Sequence, residues 1–152
     1  MTDPQSFPSA TTHHALPLLF AGQSQKETTV NEALALVDIL LNPVIEATVS
    51  TPPTTPTIGK AWIVGPSPSG SFSGHAGQIA AWTNGGWRFL SPVRGMSAHD
   101  TEHDCTIRFT DAWSRVIAPA PPSGGTVVDT QARAVLATVL SLLAQAGIFS
   151  SP

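Results

Sequence analysis

The stretch between Pro17 and Pro43 restricts this chain most. Val30, Ala33, Leu34, Val37, Leu40 and Leu41, continued by Val44, recur every three or four residues, which places them on one face of a helix. Ser24 with Glu27, or Thr29 with Glu32, can form the capping box at its start, a hydroxyl and a carboxylate three residues apart satisfying orphan N–H groups. Asn42 and Pro43 stop it, because proline lacks the amide and disfavours helix in the residue before it. Leu36 and Ile39 fall off the predicted face, so the helix is expected to need cover on more than one side. Ahead of it, Leu16, Leu18, Leu19 and Phe20 form an apolar strip too short to span a bilayer, expected as a contact arm that lies on a neighbouring protein. Residues 1–15 read as polar arm, ordered where something binds it, with His13 and His14 as a solvated pair.

After the helix the code changes. Residues 45–50 suit a short strand, and TPPTTPT at 51–57 reads as an extended connection, since prolines remove ladder donors. Residues 60–65 suit another strand, followed by a loop rich in turn residues. Gln78 to Thr83, Asn84-Gly85-Gly86 and Trp87 to Leu90 spell a hairpin, because Asn-Gly tolerates the positive φ of a tight turn. Arg108 to Val116 echoes that design: an aromatic, Thr, Asp, a small residue and Trp. Two such hairpins predict a small antiparallel sheet with Trp62, Trp82, Trp87 and Trp113 as its core, or alternatively as a glycan-stacking platform.

PAPPSGG at 119–125 marks the strongest boundary, stiff prolines ending in two glycines. Beyond it, Asp129 or Thr130 can cap a helix that Gly147 ends. Val128, Ala132, Val135, Val139, Leu142, Ala146 and Phe149 alternate in steps of four and three, the seam of a left-handed coiled coil, which Leu136, Leu140 and Leu143 broaden. Burying about six such side chains at roughly 1.5–3 kcal/mol each outweighs helix propensity, and so short a helix is marginal alone. It is expected to pack on another copy of the chain or to fold back on the sheet. The fold class expected is α+β: an arm at 1–22, a body at 23–118 with one helix and a meander of hairpins, a linker at 119–125 and an oligomerisation helix within 126–152.

Charged residues make up 11% of the 152, well under the ~25% of an ordinary soluble protein. Such a surface suits a chain occupied by partners. A net charge of −3 without a basic cluster argues against nucleic acid. The single Cys105 excludes an intrachain disulfide framework. An acidic start without a basic region or a long apolar run is unlike a signal peptide, so synthesis in a cytoplasm without Sec export is expected. His99-Asp100-Thr101-Glu102-His103 matches H-x-x-E-H, which in an inverted zincin puts both histidines on one helical face with Glu as base. The segment lacks helical periodicity and no His or Glu follows it, so a solvated polar loop is expected, with no cofactor, no metal and no catalytic residue.

FAGQ-x-QKE-x-x-x-NEAL at Phe20 to Leu34 and G-x-W-x-FL-x-P at Gly85 to Pro92, with TPPTTPTIGKAWIVG and the C-terminal tail, resemble the DUF2793 family of alphaproteobacterial prophages and gene transfer agents. The resemblance spans roughly Leu16 to Val116. It implies a non-enzymatic structural protein of a phage-like particle, a head-spike base or fibre adaptor rather than a distal tip. Its partners would be itself, capsid proteins and a spike or fibre protein, with no nucleic acid and no membrane insertion. A trimer is the first expectation for the oligomer and a pentamer its competitor. The virion is the expected location. The alternative is a carbohydrate-binding module engaging host capsule or cell-wall glycan through exposed tryptophans.

Overall fold

The computed structural model describes residues 10–12, 14, 16–19, 27–125 and 129–149. The fold is α+β, with its elements in two compact units, residues 1–92 and 93–152. The division falls at Pro92, inside the stretch read from sequence as one body.

In the first unit, helix α1 spans Glu27–Leu41 and is followed by strands β1 (Val44–Ile45), β2 (Thr48–Val49), β3 (Ala61–Val64), β4 (Ile79–Thr83) and β5 (Gly86–Leu90). β2 to β5 form a sheet in chain order: β2 runs parallel to β3, and β3, β4 and β5 are antiparallel. β3 is buried along its whole length, as a continuous apolar run requires. A single 3₁₀ turn, Gly70–Phe72, drops Phe72 into the centre of the unit, where it is fully buried with Val64 and Ala80. Trp87 and Phe89 meet that ring edge-on at 4.9 and 5.9 Å between centroids, the geometry aromatic quadrupoles favour.

The predicted hairpin is β4–β5, with Trp82 facing Trp87 and Thr83 facing Gly86. Its positive φ falls on Gly86 (92°) rather than on Asn84 or Gly85. The side chain of Thr83 explains the shift: its Oγ accepts the Gly85 N–H at 3.2 Å and donates to the Gly86 carbonyl at 2.9 Å.

α1 corrects the expected inward face. Val30, Val37, Leu40 and Leu41 are exposed, while Asp38 and Ile39 are buried and Asn31, Glu32 and Ala35 border the packed side. The packed face is therefore rotated toward the residues that find polar partners in the unit. The apolar face expected to turn inward is instead an outward stripe, and the helix is covered on its Asp38–Ile39 side. Thr29 lies inside the helix and Glu32 is engaged with Arg88, so the Thr29/Glu32 capping box is not the start; Ser24 lies outside the described residues.

The second unit contains β6 (Ser97–Asp100), β7 (Cys105–Phe109) and β8 (Trp113–Arg115), each antiparallel to the next, and helix α2 (Thr130–Gln145). β7 alternates buried Cys105 and Ile107 with exposed Thr106 and Arg108, the pattern of a strand covered on one face. The echo of the first hairpin is β7–β8, where Phe109 faces Trp113 with centroids 5.4 Å apart, as Trp82 faces Trp87 at 4.9 Å. The segment expected as a loop at 99–105 is instead the β6–β7 hairpin, with His99 and Asp100 in strand and Asp104 at φ 47° in its turn.

Candidate interaction surfaces

α2 is held at both ends; between them Leu140 and Leu143 are partly covered and the rest of its apolar face is exposed. The carboxylate of Asp129 accepts the Ala132 N–H at 2.9 Å, as an N-cap does. Arg133, the one charged side chain within the helix, donates to the carbonyls of Pro122 and Gly124. At the other end Gly147 turns at φ 69°, Ile148 N–H reaches the Leu143 carbonyl at 3.0 Å, and the Gly147 carbonyl accepts the Thr106 N–H from β7 at 2.6 Å. No residue of α2 is buried. Val135 (62% exposed), Val139 (44%) and Leu142 (56%) show the expected seam to solvent, with Leu136 beside it.

The seam is shorter than expected. Val128 lies outside the described residues, Ala146 is the C-cap, and Phe149 has left the helix to form a parallel bridge with Val116. Ala132, Val135, Val139 and Leu142 remain on one exposed line.

The arm docks within its own unit. Ala10 bridges Pro17, and the Thr11 N–H reaches the Leu16 carbonyl at 3.0 Å, so it closes into a small hairpin. His14 N–H donates to Asp38 Oδ1 at 2.7 Å, and Asn31 exchanges two hydrogen bonds with the backbone of Leu19 at 2.8 and 3.0 Å. Leu16 and Leu19 are partly covered there; Phe20 lies outside the described residues. Next to the arm is a cavity of about 180 Å³, walled by Leu18, Ala35, Ile39, Ile58 and Trp82.

Trp62, Trp82 and Trp87 cluster in the first unit, and Trp113 lies in the second. Trp62 is buried, Trp87 packs edge-on against Trp62, Phe72 and Trp82, and Trp113 packs with Phe109. Of the four, Trp82 borders the cavity.

Of the H-x-x-E-H residues, His99 lies in β6 while Glu102 and His103 lie in the β6–β7 turn. His103 Nδ1 lies 2.9 Å from Asp100 Oδ2, and Asp100 Oδ1 accepts the Glu102 N–H at 3.0 Å. His99 sits across the hairpin, 3.5 Å from Asp104. The groups within 4.8 Å of one another are Asp100, Glu102 and His103, so the sequence trio loses His99 and gains an aspartate. A zincin needs two histidines on one helix, and this segment is strand and turn. Desolvation, followed by the charge of Asp100, raises the Cys105 thiol above its ordinary range, which leaves it a poor nucleophile.

The pair that ties α1 to the sheet was not visible in the sequence. Arg88 on β5 grips both carboxylate oxygens of Glu32, through Nε at 2.6 Å and through Nη2. Glu32 is held below its ordinary pKa and Arg88 above its own, in each case chiefly by that hydrogen bonding.

The sequence model of one family, described as "Protein of unknown function (DUF2793)", matches residues 30–114. The chain belongs to the DUF2793 family. In this DUF2793 chain the match runs from the first turns of α1 into β8, and leaves the arm and α2 outside it. Comparison with curated proteins finds no match. Among the described residues, no helix is long and apolar enough to cross a membrane.

Proposed function

We propose that this chain is a non-enzymatic structural component of a phage-like particle, a head-spike base or fibre adaptor that self-associates through α2 and anchors a spike or fibre. The observation that carries the self-association is the uncovered seam of α2, four apolar positions on a helix capped at both ends with nothing buried. A helix of this length is marginal in water without a packed face, and an identical helix supplies one. The particle context rests on the sequence resemblance. Closed rings are the expected product of such a contact, with three copies the first choice.

Light scattering on the full chain tests the first half. An oligomer is expected, reduced to monomer by Val139→Glu with Leu142→Glu; a parent chain that stays monomeric at high concentration overturns it. Antibody labelling of purified phage-like particles tests the second half, and particles that lack the chain would reject it.

A second reading, glycan binding, is favoured by Trp82 beside the cavity. Its indole emission should then respond to host polysaccharide in the parent but not in Trp82→Leu.

A further inference from the structure

Three hydrogen bonds from α1 side chains hold the main chain of the arm. Asn31 takes both the N–H and the carbonyl of Leu19, as a neighbouring strand would, and Asp38 takes the N–H of His14. Asn31 and Asp38 are separated by about two turns, or roughly 10 Å along one face of α1. His14 is bound at Asp38 and Leu19 at Asn31, so the two docked residues run in the direction opposite to the helix. The groove therefore grips the second limb of the arm's hairpin by backbone groups, with Leu18 lining the adjoining cavity of about 180 Å³.

We propose that this face of α1 is a peptide-docking groove, filled in the single chain by its own arm and, once copies are held together, by the arm of a second copy. This rests on the self-association read from α2. The occupant follows from what is already seated there, because an identical arm makes identical hydrogen bonds. In a free chain the tethered arm wins by effective concentration, of about millimolar order for a short connection. In an oligomer the neighbour's arm competes for the same groove, and exchange of identical elements is a low-cost way to join subunits.

Cross-linking of full-length chains tests it. Thr12→Cys and Ala35→Cys place one thiol on the arm and one on α1, both bordering the cavity; native Cys105 is fully buried and stays silent. The two single variants are mixed and treated with a short bismaleimide, so that any product found by mass spectrometry to link the arm thiol to the α1 thiol joins two chains. The expected result is that product in the oligomer, lost on dilution to monomer. An oligomer confirmed by light scattering that yields none overturns the exchange and leaves α2 association standing; a chain monomeric throughout removes the α2 reading and the exchange with it. In the variant that carries both thiols, adding Asn31→Ala should slow cross-linking within the chain about tenfold, the effect of losing two hydrogen bonds. An unchanged rate would overturn the groove itself.

Discussion

Glu32 and Arg88 show how one side-chain pair fixes an element that sequence periodicity misplaces. Glu32 lies 43% exposed and Arg88 28%, so the pair is screened and its worth stays within the ~0–1 kcal/mol of surface ion pairs, near the upper end for a two-point grip. Because the folded carboxylate titrates below its unfolded value near ~4.3, the stabilisation is present at neutral pH and is lost as acid protonates Glu32 in the folded chain. Melting temperatures of the parent and Glu32→Gln should differ at pH ~7 and converge below about pH 4. A difference that persists in stronger acid would assign the effect to packing instead. Gly86 gives a second residue-scale expectation. At φ 92°, with no atom nearer than 4.0 Å to an added Cβ, Gly86→Ala strains only the backbone and should cost about 1–2 kcal/mol in denaturant unfolding.

At the scale of elements, what was legible depended on how local the cause was. The β4–β5 and β7–β8 hairpins could be read because turn residues and flanking aromatics sit close together in the chain. The ends of α2 could be read for the same reason, from Asp129 and Gly147. The face of α1 could not: its apolar residues point two ways, and the choice is made by Arg88, 56 residues beyond Glu32, and by an arm whose docking on Asn31 and Asp38 leaves no periodic trace. The H-x-x-E-H match was misleading in kind, since strand pairing of His99 with Thr106 overrides any helical spacing. For α2, whose cap is local and whose seam is bare, the cap should matter more than in a packed helix. Asp129→Ala leaves the Ala132 N–H without its acceptor and is expected to cost about 1 kcal/mol. Circular dichroism under conditions that keep the chain dilute should show lower helicity with the β-sheet signal intact.

For the whole molecule, the proposed self-association raises the question of which force would assemble the copies. The seam of α2 offers only apolar atoms, and Arg133 is turned to the linker carbonyls of Pro122 and Gly124 rather than outward to a partner. Association through it is then a matter of apolar burial, which salt does not screen and which weakens on cooling. Ion-paired association would behave oppositely, weakening steeply as the Debye length shrinks from about 10 Å at ~0.1 M to about 3 Å at ~1 M. Sedimentation or light scattering of the full chain across that salt range should return an unchanged or tighter oligomer, with partial dissociation in the cold. An oligomer that falls apart as salt rises would move the interface off α2 and onto the charged surfaces, where Arg94 and Asp111, 3.3 Å apart and largely exposed, would be the first pair to substitute.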